Sequence, residues 1–255
     1  MSLFLERALL LASGSTEWVP PVPRPASTLV LVRDGDHGVE TFLMRRPLTM
    51  NFAPGMLVFP GGALDETDFD SVITKCLDEE FAQSHALRAS ATVREFRALL
   101  ACAIRETREE AGVIFTDARE IALADHWVTP EVESRRFDVH FFIARIPEGE
   151  SATVASGEAD HAEWIRPADA LDRHSRDELP MLLPTLEMLR FLTPFATALD
   201  AIAAAYSRDL FAKMPRATPV GELGLTWQIV NVRSGEVVSA NIASPAHSET
   251  GDVTQ

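Results

Sequence analysis

The segment Val93–Ala111 constrains this chain more than any other. Its apolar positions Val93, Phe96, Leu100, Ala103, Ile104, Thr107 and Ala111 recur at spacings of three and four. That is the pattern of a helix with one buried face. Gly112 follows, the residue type that ends a helix by entering the left-handed region. The last turns read "RETREEAGV", with Arg105, Glu106, Glu109 and Glu110 crowded together. At 3.6 residues per turn, the three glutamates share an arc of about 100°. Two readings follow. One is a solvated acidic face, in which Arg105–Glu109 is an i, i+4 pair worth a few tenths of a kcal/mol. The other is a cradle, in which three mutually repelling carboxylates gather around a divalent cation. Ligands made of oxygen alone suit Mg²⁺ or Mn²⁺, not zinc.

Composition narrows the partners. Of 255 residues, 46% are hydrophobic and 24% charged, enough apolar material for a substantial core. Lys+Arg number 23 against 38 Asp+Glu, a net charge of −15. So acidic a surface argues against nucleic acid or an anionic membrane as partner. Any phosphorylated small molecule must then be drawn in by a local cationic patch or a metal. Cys76 and Cys102 are too few for a disulfide framework and suit a reducing compartment. The apolar run after Glu6 and Arg7 is too short for a signal-peptide core. No stretch approaches the roughly 20 apolar residues of a membrane span. The expectation is a soluble cytoplasmic protein.

Along the chain, "VPPVPRP" closes a lead of some twenty residues that is neither helix nor central strand, an arm over residues 1–24. "STLVLVRD" and "VETFLMRR" read as strands joined by the turn "GDHG". A short strand "MLVF" precedes Gly61 and Gly62, where backbone can approach a ligand with no Cβ in the way. Residues 71–91 are polar and weakly helical; the acidic "CLDEEFAQ" is a solvated helix face or a lid. "RFDVHFFIARIP" and "HAEWIRP" are strands, and "ADALDRHS" is a short helix. "PTLEMLRFLTPFATALDAIAAAYSRDL" is one helix broken near Pro194, or two; "LTWQIVNVRSGEVVSA" is a hairpin; residues 244–255 read as a disordered tail. The order predicts an α+β fold, an α/β/α sandwich with a helical C-terminal extension. Cys102 and His140 read as packed residues, and the seven histidines show no spaced metal-ligand pair.

"RETREEAGV" resembles the second half of the Nudix box, R-E-U-x-E-E-x-G-U with U bulky and aliphatic, and "FPGGALDETD" resembles its first half, G-x5-E. Thr107 stands at a U position, and Asp68, not Glu, falls six residues after Gly62. About 29 residues beyond the ordinary spacing then separate Asp68 from Arg105. A split box of this kind is similar to the branch typified by the mammalian peroxisomal coenzyme A diphosphatase. "PRPASTLVLVRDG", "FAPGMLVFPGGALD", "WVTP…RRFDVHFFIA" and "LLPTLEMLRFL" extend the resemblance across about residues 23–195. It implies a mixed sheet in a Nudix domain over 25–183 with an insert near 69–92, then an extension and hairpin over 184–243.

The resemblance also implies chemistry. Glu106, Glu109 and Glu110 would hold Mg²⁺ or Mn²⁺, with the Gly61 carbonyl a further ligand, and Arg105 would orient the carboxylates. Metal-activated water would attack a nucleoside diphosphate linked to another group. Glu158, Asp160 and Glu163 are candidates for the general base, with Glu158 preferred, so the catalytic set is Arg105, Glu109 and Glu158. A coenzyme A signature upstream of the box is matched by Arg46 and "GMLVFPGG", but Asn51 stands where a second Arg is expected. Arg45, Arg46, Phe59 and Gly62 are the substrate-facing candidates. Arg45–Arg46 and Arg135–Arg136 are each either phosphate-facing or solvated. The substrate expected is coenzyme A or an acyl-coenzyme A; ADP-ribose, a dinucleotide, or a ligand-sensing module without turnover are the alternatives. A homodimer is compatible with the resemblance.

Overall fold

The computed structural model describes residues 3–49, 53–157, 159–221 and 224–242. The elements begin with α1 (Leu3–Ser13), β1 (Arg24–Gly35), β2 (Gly38–Arg45), β3 (Leu57–Val58) and β4 (Gly61–Ala63). A 3-10 turn (Glu66–Asp70), α2 (Val72–Lys75), α3 (Glu79–Arg88) and α4 (Val93–Ala111) follow. Then come β5 (Ala122–Val128), β6 (Phe137–Arg145), β7 (His161–Ile165), α5 (Pro167–Ser175), α6 (Leu183–Leu192) and α7 (Ala198–Ser207). β8 (Lys213–Val220), β9 (Gly224–Asn231) and β10 (Val237–Ile242) complete the elements among the described residues. No helix among the described residues is long and apolar enough to cross a membrane.

β1 organises the sheet because its sequence is apolar on both faces. Leu29 and Leu31 point toward α3 and α4, while Val30 and Val32 point toward α6 and α7. A strand buried on both sides reads as a continuous apolar run, as "STLVLV" does. β1 pairs parallel with β6 from Arg24–Phe137 to Val32–Arg145, and β5 adds antiparallel to β6. On the other edge of β1 the partners divide. Its C-terminal half forms the hairpin with β2, and Ala26–Thr28 pair with Gly61–Ala63 of β4. β3 pairs with β2 at Met44 and Arg45, so the chain crosses from one strand to the other just before the glycine pair. The result is a mixed sheet between two helical layers, and α6 and α7 of the extension supply the second layer.

α4 spans the residues its periodicity predicts. Thr92 accepts from the Glu95 amide at 3.2 Å, and Glu95 accepts from the Thr92 amide at 2.8 Å, a capping box. Thr107 is fully buried, and its hydroxyl donates to the Ala103 carbonyl at 2.7 Å. A polar residue at an apolar box position therefore leaves no unpaired group in the core. The insert packs against α4 through Leu77, Ala86 and Ala89. Arg88 of α3 donates to the Ala205 carbonyl at 2.8 Å, tying the insert to the end of α7. Glu79 and Glu80 face solvent, and no insert residue borders the large cavity described below. The solvated-face reading of "CLDEEFAQ" holds.

Three elements differ from the sequence reading. α1 forms inside the N-terminal lead and buries Phe4 and Ala8 against Val132 and Trp227. β5 was masked by Asp125 and His126, which are buried in a strand. Lys213 donates to Asp125 Oδ1 at 2.6 Å, and Arg208 forms an ion pair with Oδ2 at 3.5 Å. β8 contains Pro215 and Pro219, residues that break sheet ladders. It tolerates them because it pairs fully with β9 but meets β5 only at Lys213–Trp127. The expected tail, residues 244–255, lies outside the described residues.

Gly112 closes α4 with φ 72°, and its amide donates to the Arg108 carbonyl at 3.1 Å. A Cβ there would make only ordinary contacts, with Ala155 at 3.6 Å and Thr153 at 4.0 Å, so the cost of a side chain is backbone strain. Gly112→Ala is expected to lower stability by about 1 kcal/mol, and Gly112→Asn by less. Urea denaturation with unchanged m-value checks this.

Candidate active site

The two halves of the split box meet through Arg105. Asp68 ends the first half in a 3-10 turn, where its carboxylate accepts from the Asp65 amide at 2.8 Å. Arg105 reaches both Asp68 oxygens, with Nε at 2.9 Å and Nη2 at 3.0 Å. Its Nη1 donates to Glu106 at 2.7 Å and Glu109 at 3.1 Å, and Nη2 also reaches the Ala63 carbonyl at 3.2 Å. These bonds, Asp68 first, hold the guanidinium well above its ordinary pKa. A planar five-donor fork can serve three carboxylates at once; an ammonium cannot.

The glutamates sit at graded depth. Glu110 is 4% exposed and accepts from the Gly61 amide at 2.8 Å. Glu106 lies against Gly62, where a Cβ would fall 2.3 Å from its Oε1. Glu109 is outermost, its side chain 47% exposed. The Gly61 N–H thus fixes the position of the Glu110 carboxylate beside the glycine pair. Asp68, Glu106 and Glu109 share one guanidinium, and Glu110 stands on the neighbouring amide. An all-oxygen set gathered this way, around a glycine only a missing side chain keeps open, fits a hard divalent cation.

Beside the cradle is a cavity of about 470 Å³. Gly61, Gly62, Glu106, Phe59 and Arg46 border it, together with Arg24, Arg135, Trp127, Phe137 and Glu133. Its size suits a small ligand, with apolar walls and a few charged groups. Arg45 lies outside it, bonded to Asp160 at 2.7 Å. The second basic pair divides. Arg135 borders the cavity, whereas Arg136 is buried and donates to the carbonyls of Thr129 and Pro21, each at 3.0 Å. Arg136 is therefore neither phosphate-facing nor solvated; it clamps the N-terminal lead to the turn before β6. Glu163 is bonded to Arg173 at 3.0 Å. Glu158 and Asn51 lie outside the described residues. Burial pushes the Cys102 thiol far up, consistent with a packed residue and not a nucleophile.

Sequence reasoning did not single out Arg24 and Trp127, which border the cavity through the β1–β6–β5 pairing. It also missed a histidine pair. His126 and His140 are cross-strand partners, and with Asp138 they form a compact cluster. Spacing along the chain cannot reveal a pair made by sheet register.

Residues 92–183 match the NUDIX domain. Over that stretch the chain is similar to a Nudix domain. The matched stretch starts at the cap of α4, so Asp68 and the glycine pair lie before it, cut off by the insert. A NUDIX hydrolase structure from Alicyclobacillus acidocaldarius superposes with a TM-score of 0.60 at 26% identity, covering 71% of this chain and 96% of that one. A Caenorhabditis elegans protein named as a nudix hydrolase is 26% identical over 161 residues, 58% of this chain. The match spans 53% of the worm protein, about half its length.

The glycine cradle gives a direct test. Gly62→Ala places a methyl where Glu106 now lies, and Mn²⁺ affinity is expected to fall at least about tenfold, equivalent to 1.4 kcal/mol. Gly157→Ala, with nothing within 4 Å of the added Cβ, is the control and should leave affinity unchanged. Electron paramagnetic resonance of free Mn²⁺ measures both.

Proposed function

We propose that this protein is a divalent-cation-dependent Nudix hydrolase that cleaves the diphosphate of a nucleoside-diphosphate derivative, with coenzyme A or acyl-coenzyme A as substrate. The observation that carries this reading is the juxtaposition of the carboxylate cradle with a cavity bearing Arg24, Arg46 and Arg135. In a protein of charge −15, that patch is a local reversal of sign. Coenzyme A demands such a reversal, because its 3′-phosphate adds an anion beyond the diphosphate. Phe59, Trp127 and Phe137 offer apolar surface for the adenine.

Glu106, Glu109 and Glu110 would hold the cation. Bound there, Mg²⁺ or Mn²⁺ neutralises the diphosphate and lowers the pKa of the attacking water. Arg105 aims the carboxylates through its hydrogen bonds, and does not touch substrate. Of the loop acids, Asp160 and Glu163 are engaged by Arg45 and Arg173, and Glu158 is assigned the general-base role. Attack on phosphorus breaks the bridging P–O bond and yields 3′,5′-ADP and 4′-phosphopantetheine, acylated or free. Arg46 and Arg135 orient the phosphates with charge-assisted bonds.

Incubation with Mg²⁺ and a panel of coenzyme A, an acyl-coenzyme A, ADP-ribose, NADH and a dinucleoside polyphosphate, read by mass analysis, tests the reading. Coenzyme A compounds should turn over fastest and a chelator should stop the reaction. Faster hydrolysis of ADP-ribose or a dinucleotide would move the substrate assignment. No turnover with Mn²⁺ binding intact would overturn the catalytic one. Arg46→Ala should raise KM for coenzyme A roughly 10- to 100-fold, the value of a charged hydrogen bond, and leave KM for 3′-dephospho-coenzyme A nearly unchanged.

A further inference from the structure

On the face of the sheet opposite the cavity, β5 and β6 bring together two imidazoles and a carboxylate. Phe137, Val139 and Phe141 alternate toward the cavity, so Asp138 and His140 point the other way, under the end of α3. The His126 and His140 rings stack with centroids 3.9 Å apart. His126 Nε2 bonds the Asp138 carboxylate. One ligand atom from each of the three residues lies within 4.8 Å of the others.

The tautomers follow from the hydrogen bonds. His140 Nε2 lies 3.2 Å from the Ala89 carbonyl, which can only accept, so Nε2 carries the hydrogen. The lone pair of His140 is then on Nδ1, and Nδ1 is buried with no hydrogen-bond partner. Ser27, its neighbour in register on β1, has an equally unpartnered buried Oγ. Two unpaired buried polar atoms on register neighbours, one of them the lone pair of an imidazole, call for an explanation. Fixing a ligand histidine by donating its other nitrogen to a backbone carbonyl is the usual support of a metal site. His126 and His140 are 7% and 5% exposed, whereas the Asp138 side chain is 39% exposed. The carboxylate is thus the side from which an ion enters.

We propose that His126, Asp138 and His140 form a second metal site, taking a first-row transition cation of the Zn²⁺ class. Two nitrogens and one oxygen suit such an ion, whereas the all-oxygen cradle at Glu106, Glu109 and Glu110 suits Mg²⁺. On binding, the ion takes the place of the hydrogen between His126 Nε2 and the Asp138 carboxylate, and the imidazole carries its one N–H on Nδ1. The site staples β5 to β6 directly behind Trp127 and Phe137, so it stiffens the cavity wall and takes no part in bond cleavage.

The test is Co²⁺ absorption and Zn²⁺ calorimetry on the full chain in millimolar Mg²⁺, which engages the cradle with its own ion. Wild type should show one visible Co²⁺ band, displaced by Zn²⁺, and a melting temperature raised roughly 5–10 °C at a hundredfold excess of Zn²⁺ over its Kd. Asp138→Asn, isosteric and at the solvent edge, should weaken Zn²⁺ roughly 10- to 100-fold. His140→Gln should abolish the band, and Glu110→Gln should leave it. Absence of the band in wild type overturns the proposal, as does its loss in Glu110→Gln. Unchanged Zn²⁺ affinity in folded Asp138→Asn does the same, and that variant decides the matter if His140→Gln does not fold.

Discussion

The structure of the site depends on one ion pair. Arg105 grips both oxygens of Asp68, a residue 37 positions earlier in the chain, and with the same guanidinium holds Glu106 and Glu109. The pair is largely withdrawn from water, with side chains 22% and 3% exposed, so it is screened far less than a surface bridge. Burying it carries a desolvation cost, and what repays that cost is geometry: every oxygen of Asp68 is occupied, one by the Asp65 amide as well. Losing Arg105 would leave the buried Asp68 carboxylate without its countercharge, close to Glu106 and Glu109.

This contact explains how a box can be split and still close. An insert is tolerated where its ends return to the same place, since the entropy of a longer loop grows only slowly. Here the ends are fixed by the 3-10 turn at Asp68 and the capping box at Thr92. The insert between them uses Leu77, Ala86 and Ala89 to extend the core under α4 instead of hanging free. The glycine pair is placed by a separate constraint, the division of partners along β1, which seats Gly61 and Gly62 against Glu110 and Glu106.

Much of this was legible in the sequence, and the reasons are particular. α4 showed itself because burial imposes a period of 3.6, and its three glutamates shared an arc whatever surrounded them. The β1–β2 hairpin showed itself through β-branched residues and "GDHG". β5 and β8 did not, because Asp125 is acceptable only through Lys213 and Arg208, remote in sequence, and Pro215 and Pro219 only where one edge of the strand is almost unpaired. Arg135 and Arg136 were indistinguishable as neighbours, yet one borders the cavity and the other holds the lead. His126 and His140 became a pair only when sheet register was known.

The central claim is that Arg105 and Asp68 act as one unit to build the cation site. Mn²⁺ affinity measured for Asp68→Asn, Arg105→Lys and the double variant tests it most directly. The account predicts that each single change weakens Mn²⁺ roughly tenfold or more and that the double change is little worse than either, because the two residues supply one interaction. Unchanged Mn²⁺ affinity in folded Asp68→Asn, or losses that add in full, would contradict it.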